Sequence, residues 1–151
     1  MNETINIEDI HKYLSTIDMY ICSASFENRS TIFTDVINKD IVNSATVFYN
    51  NSPECCFKEN IQYMEAEWAD KVHLVPVLYE DTSSTADTFS AYFKELFQQK
   101  KGVILLDCTT FTHEGLLIVL RYLYEYREMY ECLKVIYICA ETYSNNTDNV
   151  K

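Results

Sequence analysis

Glycine and proline are almost missing from this chain: its 151 residues hold two of each. These residues punctuate loops and turns, so their scarcity predicts short connections between many regular elements. Basic charge is scarce too. Twelve Lys and Arg stand against 23 Asp and Glu, a net charge of −11. Nucleic-acid backbones and anionic membranes both need counter-charge from Lys and Arg. General nucleic-acid binding is therefore not expected, and Lys100-Lys101 is the one adjacent basic pair. A small anionic ligand held by a local group of donors is still allowed.

Long apolar runs are absent as well, so no segment reads as a bilayer span. The start, Met1-Asn2-Glu3-Thr4-Ile5-Asn6, lacks the basic-then-apolar pattern of a signal peptide. The expectation is a cytoplasmic protein with no membrane partner. No glycine-rich dinucleotide fingerprint or phosphate-binding P-loop occurs, so no cofactor is expected. The cysteines are Cys22, Cys55, Cys56, Cys108, Cys132 and Cys139, with no CxxC among them. Adjacent Cys55 and Cys56 do not have zinc-ligand spacing. The thiols read as reduced small hydrophobes, and no metal site is expected.

What the chain does hold is hydrophobic residues, 48% of the total with 14% aromatic, enough for one packed domain. Residues 7–17 read as a leading helix. Apolar runs over 19–24, 46–49, 72–79, 103–108 and 133–140 read as strands. Between them Ile32, Phe33, Val36 and Ile37 recur at helical spacing, as do Phe57, Ile61, Met64 and Trp68. Asn43-Ser44 read as the break after the first of these helices. Ser52-Pro53-Glu54 suits a helix start. Ser84-Thr85-Ala86-Asp87 suits another, with Phe89, Phe93, Leu96 and Phe97 facing the core and Lys100-Lys101-Gly102 as its stop. A fourth helix covers 112–131. Alternation of strand and helix implies an α/β, three-layer, Rossmann-like domain with a five-stranded parallel sheet. Its span is 18–143, followed by a polar tail at 144–151, either a natural terminus or the start of a linker.

Two strand orders compete, 3-2-1-4-5 and 2-1-3-4-5. Pro76 lies in the third strand, and proline, lacking a donor, is tolerated at a sheet edge. That favours 3-2-1-4-5. The switch point then lies between strands one and four, where ligands of open α/β sheets bind. These two strands have the most polar ends. The first offers Ser23, Ser25, Phe26, Glu27 and Arg29; the second offers Asp107, Thr109, Thr110 and Phe111. A helix start supplies free N–H groups to an anion, and Arg29 could clamp a phosphate or carboxylate. Asp107 could bind a ribose hydroxyl. Asn50, at the end of the second strand, is a further ligand candidate. Asp107, His113 and Glu114 are candidate acid–base groups. Each also has a structural reading: Ser25 and Thr112 as caps, Arg29 paired with a surface acid, Glu114 at the positive end of the helix dipole.

The fourth helix has hardly any polar face in its first half, which predicts burial on more than one side. Tyr122, Tyr126 and Tyr130 share a face with Met129 beside it, a composition enriched at interfaces, and predict a homodimer through this helix.

The layout, with Leu106-Asp107-Cys108-Thr109-Thr110 at the fourth strand end and Ser23-Ala24-Ser25-Phe26 at the first, resembles the CRISPR-associated Rossmann fold, a defence-linked sensor domain. The resemblance covers about residues 18–143 by element order. It implies nucleotide sensing, dimerisation through the sheet and nearby helices, and a downstream effector domain or protein. Three functions are thus open: a regulatory domain binding a nucleotide or nucleotide-derived ligand, a small nucleoside or nucleotide hydrolase, and a protein-interaction module.

Overall fold

The computed structural model describes residues 3–53 and 58–140. A 3-10 helix, Ile7–Lys12, leads into β1 (Ile17–Ala24) and α1 (Arg29–Val36). Then come β2 (Val42–Asn50), α2 (Lys58–Trp68), β3 (Val72–Val77), α3 (Thr82–Leu96), β4 (Lys101–Asp107), α4 (His113–Glu125) and β5 (Tyr130–Ile136). The strands form one parallel sheet in the order β3-β2-β1-β4-β5, as Pro76 predicts. That residue is exposed on the edge strand, opposite Tyr49. Its missing N–H therefore breaks no ladder.

Alternation along each strand feeds two cores. Met19, Ile21, Phe48, Ile104 and Leu106 pack with α3 and α4. Tyr20, Cys22, Val47 and Leu105 point the other way, against Phe33 of α1, Met64 and Trp68 of α2, and Ile10 of the leading segment. β4 is thus covered on both faces, the reason for its continuous apolar run. Aromatic rings fill both layers: Phe48 stacks on Phe89 at 4.6 Å, and Tyr20 lies 4.7 Å from Phe33. Cys22, Cys108, Cys132 and Cys139 are free thiols.

Several boundaries differ from the sequence expectation. The leading helix is not 7–17 but a 3-10 helix ending at Lys12, because fully buried Ile17 belongs to the sheet, paired with Val42. β2 begins at Val42, so Asn43 and Ser44 are strand residues. Both bond Asp18, at 2.8 and 3.0 Å. α3 is capped by Asp81, whose carboxylate accepts the Ser84 N–H at 3.0 Å, and not by Ser84. Lys101 and Gly102 start β4 and do not end α3, since Asp18 holds the Gly102 N–H. β5 starts at Tyr130 and shortens α4. The start expected around Ser52-Pro53-Glu54 runs into residues 54–57, outside the described residues, as does Phe57. The tail at 144–151 also lies outside them.

α4 departs most. It is buried on one side only, through Gly115, Val119 and Leu123. Its tyrosine face turns inward: Tyr122 stacks on Phe93 at 5.2 Å and Tyr126 on Phe97 at 4.9 Å. The Tyr130 hydroxyl donates to the Leu123 carbonyl at 2.9 Å. Phe93 of α3 and Phe97 just past its end claim those rings, so this face packs against the core. Among the described residues, no helix is long and apolar enough to cross a membrane.

Candidate functional site

β1 and β4 are neighbours, with Ile21 opposite Leu106, so their carboxyl ends meet. The crevice between those ends is bridged by the chain's own side chains. Asp107 is 3% exposed. Its Oδ1 accepts the Thr109 N–H at 2.9 Å and the Thr109 hydroxyl; its Oδ2 accepts the Tyr20 hydroxyl at 3.2 Å. Burial pushes the Asp107 pKa above the usual carboxylate value, against the hydrogen bonds of Thr109 and Tyr20 and the charge of Arg29. Thr109 Oγ1 also accepts the Ile138 N–H at 2.9 Å. Thr110 Oγ1 donates to the Ser23 carbonyl at 2.5 Å. Asp107, Thr109, Thr110 and buried Ser23 therefore weld β1, β4 and the chain leaving β5. A carboxylate with both oxygens engaged and almost no access to solvent is placed to hold a turn.

The β1–α1 turn is built by local bonds. Ser25 Oγ accepts the Glu27 N–H at 3.0 Å, and the Ser25 carbonyl accepts Asn60 Nδ2 at 2.7 Å. Arg29 Nε donates to Glu27 at 2.9 Å, and its Nη1 donates to the Ile138 carbonyl at 2.9 Å and the Tyr137 hydroxyl at 3.3 Å. Hydrogen bonds to Tyr137 and Glu27 raise the pKa of this guanidinium further. Ile138 is consequently held by both turns, its N–H by Thr109 and its carbonyl by Arg29. Phe26 makes no such commitment: it stands 75% exposed at the tip.

The open space lies one strand further along than the β1–β4 crevice. A cleft of about 1190 Å³ runs between the leading segment, the start of α1 and the end of β5. Ile5, Ile10, Leu14, Ile32, Ile136 and Ile138 line its apolar part. Phe26, Glu27, Asn28 and Arg29 line the rim at the β1–α1 turn. At about 1190 Å³ it is somewhat larger than the roughly 300–1,000 Å³ of small-molecule sites. Of the sequence candidates, Phe26, Glu27 and Arg29 reach it; Ser23, Ser25, Asn50, Asp107, Thr109, Thr110 and Phe111 do not. Asn50 Oδ1 accepts the Ser52 N–H at 3.1 Å, an Asx turn. Phe111 packs 6.0 Å from Phe48. His113 and Glu114 are exposed in the first turn of α4, where Thr112 caps Gly115 N–H at 3.0 Å. Among the described residues no three His, Cys, Asp or Glu gather as a metal site.

Tyr137, Ile138 and Asn60 were not among the sequence candidates. Ile138 acts through its backbone, which leaves no mark in sequence; Tyr137 is one polar aromatic among several. Tyr20 had a signal, since a hydroxyl inside an apolar strand needs a buried partner.

The sheet order and alternating helices define a Rossmann-like α/β domain. No protein-family model matches the chain, and no curated protein does. Among solved structures it is similar to ferredoxin-NADP+ reductase from Plasmodium falciparum, at 11% identity and a TM-score of 0.42. The match covers 87% of this chain and 57% of that one, so the chain spans less than two thirds of the reductase. A likeness at that level carries no argument about function.

Proposed function

We propose that this chain is a regulatory domain that binds a nucleotide or nucleotide-derived ligand in the cleft between the β1–α1 turn and the end of β5. The observation that carries the reading is the exposed Phe26 ring beside Arg29 on the rim of that cleft. An aromatic face stacks a base, worth about 1–3 kcal/mol in single-stranded nucleic-acid complexes, and a guanidinium attracts phosphate. Arg29 already bonds Glu27, so a ligand phosphate competes with that carboxylate. The same Arg29 holds Ile138, which gives ligand binding a route to whatever follows β5. The resemblance of the Leu106–Thr110 turn to defence-linked Rossmann sensors supports a role upstream of an effector. Buried Asp107, with both oxygens engaged, does not favour the hydrolase reading.

The test is a thermal-shift screen against mononucleotides, NAD and cyclic oligonucleotides, with product analysis of every hit. A ligand of the native state raises the melting temperature by linkage. Phe26→Ala is expected to keep the basal melting temperature and lose most of the shift. No shift from any of these compounds would remove the reading, and turnover of a hit would replace it with an enzyme.

A further inference from the structure

We propose that the ligand of this cleft carries an aliphatic chain as well as its nucleotide. It is a nucleoside phosphate joined to an alkyl or acyl group. The head sits at the Phe26–Arg29 rim, and the chain lies along Ile32, Ile136 and Ile138 towards the leading segment. The inference rests on the ligand reading above and narrows it to one chemical class.

A nucleotide head accounts for one end of the cleft only. Glu27, Asn28 and Arg29 make that end polar, whereas much of the remaining wall is aliphatic. α1 places Ile32 one turn after Arg29, so the two share a helix face. Ile5 and Leu14 close the far side. Together with Ile136 and Ile138 they are only partly buried against the core of Tyr20, Phe33 and Leu105, and they keep apolar surface on the cleft. The polar mouth and the apolar wall meet at Ile138. Its carbonyl accepts Arg29 Nη1 at 2.9 Å, while its side chain packs on the core. A phosphate that reaches Arg29 therefore stands where the aliphatic wall begins. The other cation of the lining, Lys134, donates its Nζ to the Tyr13 carbonyl at 2.6 Å.

Size agrees with this division. At about 1190 Å³ the cleft exceeds a drug-sized site, so a mononucleotide at the rim leaves the end at Ile5 and Leu14 in water. Residues 141–151 are a poor source of cover for it, with Tyr143 and Val150 their only apolar side chains. An apolar wall with a few convergent polar groups at one end is the lining that binds and orients a ligand of mixed character.

Isothermal titration calorimetry of the full chain tests this with the methyl to octyl esters of the four ribonucleoside 5′-monophosphates. These probes share one phosphate charge and differ only in chain length. Each is used below its micelle-forming concentration, beside n-alkyl phosphates that lack the nucleoside. Affinity should rise about two- to fourfold per added methylene, the upper figure being complete burial, until the cleft is filled. Leu14→Ser and Ile32→Ser should flatten that rise. Phe26→Ala should weaken every ester alike and leave the rise in place. Ile32→Phe narrows the cleft, so its rise should stop at a shorter chain, which keeps the test decisive if a serine variant unfolds. Methyl esters that bind with no gain from longer chains would overturn the aliphatic site and leave the nucleotide reading standing. Esters that do not bind at any length would remove both. Alkyl phosphates that bind as tightly as the nucleotide esters would overturn the nucleotide head.

Discussion

The Tyr20 hydroxyl donates to Asp107 Oδ2 at 3.2 Å, joining the middle of β1 to the last residue of β4 inside the protein. Among the described residues it is the one side-chain donor to that oxygen, and both residues are buried. Tyr20→Phe keeps the ring that packs against Phe33 and Trp68 and removes the bond alone. A buried acceptor left without its donor costs about 1–3 kcal/mol. Urea unfolding should show a loss in that range. A variant as stable as the parent would mean that water or Cys22 takes over the role.

Asp107 also gives the fold a pH dependence of defined sign. Burial raises its pKa in the folded state above the ordinary value of the unfolded chain. Such a carboxylate contributes stability that is fully present below its unfolded pKa and is lost as pH rises through the folded pKa. Asp107→Asn stays uncharged throughout. Its stability relative to the parent should therefore improve as pH rises from about 4, the unfolded carboxylate value, towards neutrality. Urea midpoints measured along that range would give parallel curves if the carboxylate contributed nothing.

The sheet was legible because its signals are local. Strand runs, the Thr112 cap and Pro76 each constrain one element, and Pro76 alone selected the strand order. The site was legible only in part. Polar residues at strand ends look alike whether they face a ligand or close a turn. Thr109 and Thr110 close turns because Ile138 and Ser23, far apart in sequence, present backbone groups to them. α4 misled for a similar reason. Its apolar content was visible, but only the position of Phe93 and Phe97 decided that the tyrosine face turns in and Leu117 and Tyr124 turn out.

Tyr79 holds a defect that substitution should relieve. Its hydroxyl is buried and, among the described residues, has no hydrogen-bond partner. Burial raises its pKa to about 12, while nearby Thr112 and Ser23 only partly favour the charged form. A buried hydroxyl without a geometric partner is destabilising. Tyr79→Phe should therefore be neutral or gain up to about 1 kcal/mol, on the scale of one hydrogen-bonding group. A clear loss on thermal unfolding would show that the hydroxyl is satisfied in solution, through Ser23, Thr112 or a bound water.

At the opposite end of the sheet, Asp18 binds three strands into one corner. Its Oδ1 accepts Asn43 Nδ2 of β2 at 2.8 Å, and its Oδ2 accepts the Gly102 N–H of β4. That approach leaves no room at Gly102: a Cβ there would stand 2.7 Å from Asp18 Oδ2. Glycine is required by the neighbouring carboxylate and not by its backbone, since no described glycine has a positive φ. Gly102→Ala should cost about 1–2 kcal/mol, the value of a charge-assisted hydrogen bond that must lengthen. Asp18→Ala should cost a similar amount, as it leaves the Gly102 N–H unpaired. The double variant is the decisive measurement. Once the carboxylate is gone, the added methyl keeps an ordinary contact with Glu131 Oε2 at 3.9 Å, so the two losses should not add, and the cycle should return a coupling of about 1 kcal/mol. Additive losses would place the strain elsewhere in β4.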